Sequence, residues 1–139
     1  MGAREQKIKI PVIFDTDILI FHFRGVTVAT DFIKSVPYSS RRIPIVVLME
    51  LLQGARNNRE STLIEKFIRT NFLEILPLTE INGMKSYQLL KKYSLSHGLR
   101  LVDALVAAMA LVHKFPLATA NLKHYQFIRG LQLLPFSLR

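Results

Sequence analysis

The chain has no cysteine, which excludes disulfides and thiolate metal sites and fits a reducing compartment. It has no long apolar run either. The longest, ALVAAMALV (104–112), is too short to span a bilayer. The opening MGAREQKIKI lacks the apolar core of a signal peptide, and Gln6 stands where a myristoylation signal has Ser or Thr. These absences predict a cytoplasmic protein with no membrane partner. No phosphate-binding glycine loop, dinucleotide fingerprint or nucleophile elbow occurs. The four histidines, His22, His97, His113 and His124, lack the paired spacing of a zinc protease, so surface or satisfied structural roles are expected for them. Acids are absent after Asp103, whereas Lys114, Lys123, Arg129 and Arg139 follow it, which leaves the last quarter purely basic.

What remains is 139 residues, half of them hydrophobic, with a net charge of +9. That length and composition suit a single domain over residues 1–139 with a full core and argue against disorder. The charge suits a polyanionic partner, nucleic acid first.

The pattern along the chain alternates strands and helices. KIPVIFD (9–15) reads as a buried strand, near-continuously apolar, with Pro11 at its start. ILIFHF and VATDFIKSV fit short helices. IPIVVLMELLQGARN begins like a strand and runs directly into a helix, because Leu48, Leu51, Leu52 and Ala55 recur at helical spacing. Leu63, Ile64, Phe67 and Ile68 make an amphipathic stripe. LEILPL (73–78) is strand-like. Thr79 is an expected N-cap for a long helix with Met84, Tyr87 and Leu90 facing inward and Gly98 as C-cap. LVDALVAAMALVHK is apolar on nearly all sides, hence a central helix, and short strands are expected within 116–121 and 131–136. Such alternation implies a mostly parallel sheet covered on both faces, with ligands binding beyond the carboxyl ends of the strands.

Asp15 and Asn121 fall at two such ends. Asp15 fits either a helix cap or a site ligand; Asp17, two residues on, is expected to cap the first helical turn. Glu50 stands among apolar residues, where a carboxylate is costly unless paired or metal-bound. Asp103 opens the central helix, where it also compensates the helix dipole. Jointly these acids suggest oxygen ligands for a hard divalent cation, Mg²⁺ or Mn²⁺, able to polarise a phosphoryl oxygen.

Four stretches, IFDTDILI, MELLQG, LVDALVAAMAL and LATANLKHY, resemble in order the motifs of the PIN-domain family, and within it the VapC-like toxins. The resemblance implies a three-layer α/β/α sandwich and a metal-dependent endoribonuclease. It also implies Asp15, Glu50 and Asp103 as metal-binding acids, a homodimer, and an antitoxin covering the site. Asn121 stands where many relatives have a fourth acid, and the hydroxyl often found shortly before the glutamate is missing from IPIVVLM. In a toxin-like ribonuclease Asn121 would position water or phosphate, and Arg100 and Lys123 would hold the RNA backbone. Two other readings keep the fold: a non-catalytic module binding RNA or protein, which the three acids disfavour, and an RNA-maturation nuclease without an antitoxin.

Overall fold

A computed structural model describes residues 10–138. The expectations for the first nine residues, the signal and lipidation features and the strand's start at Lys9, lie outside the described residues, as does Arg139. Chain order is β1 (Val12–Phe14), α1 (Thr16–Phe23), α2 (Thr27–Ser35), a 3₁₀ turn (Tyr38–Ser40), β2 (Arg41–Pro44), α3 (Ile45–Gln53), α4 (Asn58–Asn71) and β3 (Glu74–Leu76). It continues with α5 (Glu80–His97), α6 (Leu101–His113), β4 (Leu117–Thr119), a second 3₁₀ turn (Leu122–His124) and β5 (Leu133–Pro135).

The five strands form one sheet in the order β3-β2-β1-β4-β5, and every pairing is parallel. Connections run outward from β1 to β2 and β3, then jump back across β1 to β4. Right-handed crossovers therefore put α1–α4 on one face and α5–α6 on the other, giving the three-layer sandwich. The reversal occurs between β1 and β4. Both faces of β1 are thus covered, which is why Val12, Ile13 and Phe14 are all buried and why the strand reads as a continuous apolar run. The Phe14 ring meets Phe72 edge-on at 5.3 Å and Phe32 at 6.0 Å, locking the strand end against α2 and the residue after α4. Among the described residues no helix is long and apolar enough to cross a membrane.

The segment 43–57 holds a strand running straight into a helix, as expected, but the helix starts at Ile45 and takes in Val46 and Val47. Branched residues suit strands by propensity; here burial of Val46 and Val47 in the core decides instead. Thr79 and Gly98 delimit α5 as the sequence suggested. The Thr79 hydroxyl accepts from Asn82 N at 3.2 Å, Asn82 returns the bond to Thr79 N at 3.1 Å, and Gly98 takes φ +72°.

The inward face of α5 is a correction. Met84 and Tyr87 are exposed and Leu90 is half-buried, while Asn82, Ser86, Leu89 and Tyr93 point inward. This face packs against α6, whose buried residues are largely alanines: Ala104, Ala107, Ala108 and Ala110. The alanines of α6 leave room for Leu89 and Tyr93 of α5, and that fit outweighs the apolar residues one turn-phase away. Leu63 is also exposed, whereas Ile64 and Ile68 of the same stripe are buried.

Candidate active site at the carboxyl edge of the sheet

An open cleft of about 960 Å³ lies where the strand order reverses. It is lined by Asp15, Asp17, Glu50, Asp103, Asn121 and His124. Ile20, Phe23, Arg24, Leu51, Ala55, Arg56, Leu63 and Ile64 also line it, with Thr16, Gly54 and Glu60 completing the wall. Each acid arrives on a different element: Asp15 on the residue after β1, Glu50 on α3, Asp103 in the first turn of α6.

Asp15 is buried, at 7% exposure, and each of its oxygens has one donor. Oδ1 accepts from Thr16 N at 2.8 Å, which makes Asp15 the N-cap of α1, and Oδ2 accepts from the Thr119 hydroxyl at 2.9 Å. The expected division of labour between the two aspartates is therefore revised. Asp17 does not cap the helix. Its Oδ2 reaches across to the end of β4, accepting from Ala120 N at 2.9 Å and lying 3.2 Å from Thr119 Oγ1. Its Oδ1 is buried with no hydrogen-bond partner. The end of β4 presents one backbone donor, Ala120 N, beside the Thr119 hydroxyl there, a stronger attraction for a carboxylate than a helix end already capped by its neighbour.

Thr119 is fully buried and shared three ways, since its oxygen also accepts from Asn121 N at 3.0 Å. One hydroxyl proton serves one carboxylate at a time. Both acids are thus under-supplied with donors. The Asp15 carboxyl is raised to about 7, first by burial, then by the Asp17 carboxylate, with a smaller push from Asp103, while the bonds from Thr119 and Thr16 oppose them. Asp17 is raised as well, first by burial, against the backbone bonds from Ala120, Ile18 and Asn121 and the bond from the Thr119 hydroxyl.

Glu50 is not in a salt bridge among the described residues. Its Oε1 accepts from the Thr16 hydroxyl at 2.6 Å, so Thr16 links it to the Asp15 turn. The hydroxyl missing from IPIVVLM is in effect supplied by the residue after Asp15. Asp103 accepts from the Tyr125 hydroxyl at 3.1 Å through Oδ1, and Oδ2 lies 3.3 Å from His124 Nδ1. Tyr125 is fully buried, and burial together with Asp15 and Asp103 pushes its phenol far up, so it stays a hydroxyl donor.

His124 and Tyr125 are site residues that sequence reasoning missed. His124 is also the exception to the structural reading of the histidines. His22 stacks on Phe67 at 4.1 Å and bonds Thr30 at 2.6 Å, His97 stacks on Phe127 at 4.4 Å, and His113 on Phe115 at 5.2 Å. The only signal for the missed pair was their place just after Asn121 in LATANLKHY. Asn121 is exposed and lines the cleft as expected. Arg100 and Lys123 do not line it: Arg100 is the exposed residue before α6 and Lys123 is exposed in the 3₁₀ turn. The cleft cations are Arg24 and Arg56, and Arg56 is engaged by Glu60 at 2.6 Å.

The donor set is chemically suited to a hard divalent cation: carboxylate oxygens, one of them buried and unpartnered, with Asp15 held towards the neutral form by burial and by the neighbouring Asp17. As the side chains stand, no three His, Asp or Glu groups among the described residues gather closely enough to hold an ion. The acids are instead turned to hydroxyl and backbone donors, as like charges without a counter-ion should be.

A family model described as PIN domain matches residues 12–129. A ribonuclease, VapC10 of Mycobacterium tuberculosis, is 30% identical over 123 residues, covering 87% of this chain and 90% of that protein. A toxin–antitoxin complex from Klebsiella pneumoniae contains a chain 26% identical with a TM-score of 0.73, covering 90% of this chain and 98% of that one. In a DNA-bound VapBC from Salmonella typhimurium the TM-score is 0.77 at 20% identity, over 91% of this chain and 98% of that one, a likeness of fold. By motif order, sheet topology and these matches, the chain belongs to the PIN domain family.

Proposed function

We propose that the protein is a metal-dependent endoribonuclease that hydrolyses RNA phosphodiester bonds, the toxin of a type II toxin–antitoxin pair acting in the cytoplasm. One observation carries the reading: acids from three separate elements line one cleft at the point where the strand order reverses, with Asp15 raised by burial, then by Asp17 and, least, by Asp103. A pure RNA binder gains nothing from negative charge facing phosphates, whereas a metal nuclease requires it. The 30% identical ribonuclease and the toxin–antitoxin neighbours support the same reading.

Asp15 and Asp103 would hold the ion, with Glu50 completing the shell through water, and Mg²⁺ or Mn²⁺ there would supply Lewis-acid charge to a phosphoryl oxygen. The protein's own residues do the rest. Glu50, fixed by the Thr16 hydroxyl, orients the attacking water and accepts its proton. Tyr125 and His124 hold the Asp103 carboxylate in place. Asn121, a donor and acceptor without charge, positions water or a phosphate oxygen at the exposed rim. Because it brings no charge, a second ion would bind weakly or only together with substrate.

The partners that follow are RNA, a cognate antitoxin occluding the cleft, and a second copy of the chain. The exposed apolar residues Ile81, Met84, Tyr87 and Leu95 on α5 give a homodimer a surface to use. The test is cleavage of total RNA with and without Mn²⁺ by wild type and Asp15→Asn. Mn²⁺-dependent cleavage lost in the variant is expected; cleavage that needs no metal, or survives in Asp15→Asn, overturns the reading.

A further inference from the structure

The catalytic roles above fall to residues around the start of helix α1, and none falls to its end. Asp15 caps the start and Phe23 ends the helix, a rise of about 12 Å. At this far end Phe23 is 37% exposed and lines the cleft.

A lone exposed phenylalanine is ordinary. This one is held in a fixed orientation from behind. Its ring meets Phe67 edge-on at 5.4 Å and 75°, and His22 at 5.0 Å and 69°. His22 and Phe67 are themselves stacked, and His22 is tied to Thr30. Burial and Lys34 lower the His22 pKa, so the support is a neutral aromatic one. The next residue, Arg24, is exposed, lines the cleft and forms no ion pair among the described residues, unlike Arg56 on the same wall. A rigid aromatic face beside an unpaired guanidinium is the chemistry that binds an unstacked base and its phosphate. The excess of positive charge over the chain suits a polyanionic occupant.

We propose that Phe23 and Arg24 form a nucleotide subsite, in which an unpaired base of single-stranded RNA stacks on the Phe23 ring and the Arg24 guanidinium contacts the adjoining phosphate. This rests on the ribonuclease reading and deepens it: the substrate is single-stranded near the cut, since a base held in a duplex cannot present its face.

The test measures binding rather than turnover. A fluorescently labelled single-stranded oligoribonucleotide is titrated with wild type, Phe23→Ala, Phe23→Trp and Arg24→Gln in the presence of a chelator, with folding of each variant checked by circular dichroism. A matching set of oligonucleotides carries one abasic nucleotide at each position in turn. Phe23→Ala should weaken binding by roughly fivefold to a hundredfold, and Phe23→Trp should preserve it. One abasic position should weaken wild type by the same factor and leave Phe23→Ala no weaker than before. Arg24→Gln should reduce the salt dependence by about 0.7 in the log–log slope. Phe23→Ala binding as tightly as wild type, or abasic losses that persist in Phe23→Ala at every position, overturn the subsite. If wild type still cleaves RNA with Mn²⁺ in that case, only the subsite falls. A wild type that neither binds nor cleaves the oligonucleotide overturns the nuclease reading with it. Loss of binding to a partner protein in Phe23→Ala, with RNA binding intact, also overturns the subsite and makes this end a protein-docking face.

Discussion

Asp15→Asn should stabilise the metal-free protein, increasingly so as the pH rises. The wild-type carboxyl is moved from 3.8 to about 7, mainly by burial and then by Asp17. Between those values the folded protein holds a proton that the unfolded chain has released. Stability from this group is thus fully present below about pH 4, is lost as pH rises through about 7, and is absent above it. The whole shift is worth on the order of 4 kcal/mol, lost at about 1.4 kcal/mol for each pH unit between the two values. Asparagine cannot ionise, so the variant lacks this slope. It also keeps the geometry: its oxygen accepts from Thr16 N, and its amide donates to Thr119 Oγ1, freeing the threonine proton for Asp17. Urea denaturation in EDTA at pH 5 and pH 8 measures the effect. The advantage of the variant over wild type should be about 1.5 kcal/mol at pH 5 and about 4 kcal/mol at pH 8. A difference that does not grow with pH, or a variant less stable at pH 8, would refute the electrostatic account of the site.

Mn²⁺ should raise the wild-type melting temperature more at pH 8 than at pH 6, because protons compete for Asp15 below about 7; equal shifts at both pH values would count against it as a ligand. Asp17→Asn should lower the Asp15 pKa, read by NMR titration, since a like charge has gone while an acceptor for Ala120 N remains. Tyr125→Phe keeps the buried ring and removes one donor to Asp103, so unfolding measurements should show a loss of about 1 kcal/mol. Gly98→Ala forces a side chain into φ +72° at the end of α5, where nothing crowds the added methyl, and should cost about 1 kcal/mol from backbone strain alone.

The features legible in the sequence are those set by neighbouring residues. Thr79 and Asn82 cap α5 from three residues apart, Gly98 ends it, and the uninterrupted VIF run betrays a strand covered on both faces. Glu50 among leucines was legible because an acid there needs a reason. The features that were not legible are set by distant partners. Asp17 looked like a cap because its true donors, Ala120 and Thr119, lie more than 100 residues away and meet it only after β1 and β4 pair. His124 reaches Asp103 only through the turn after β4. The phase of α5 is chosen by the alanine face of α6, so Met84 and Tyr87, inward by hydrophobicity, end up outside. Arg24 and Arg56 became cleft residues, in place of Arg100 and Lys123, because α1 and the 54–56 turn form its walls.

Titration of Mn²⁺ into the wild type and Asp103→Asn by isothermal calorimetry, at pH 8, tests most directly the claim that these separate acids make one cation site. The account predicts saturable binding by wild type and affinity weaker by about tenfold or more in the variant, at least what the loss of an outer partner costs a metal site. Identical binding by the two proteins, or no Mn²⁺ binding by either, would contradict it.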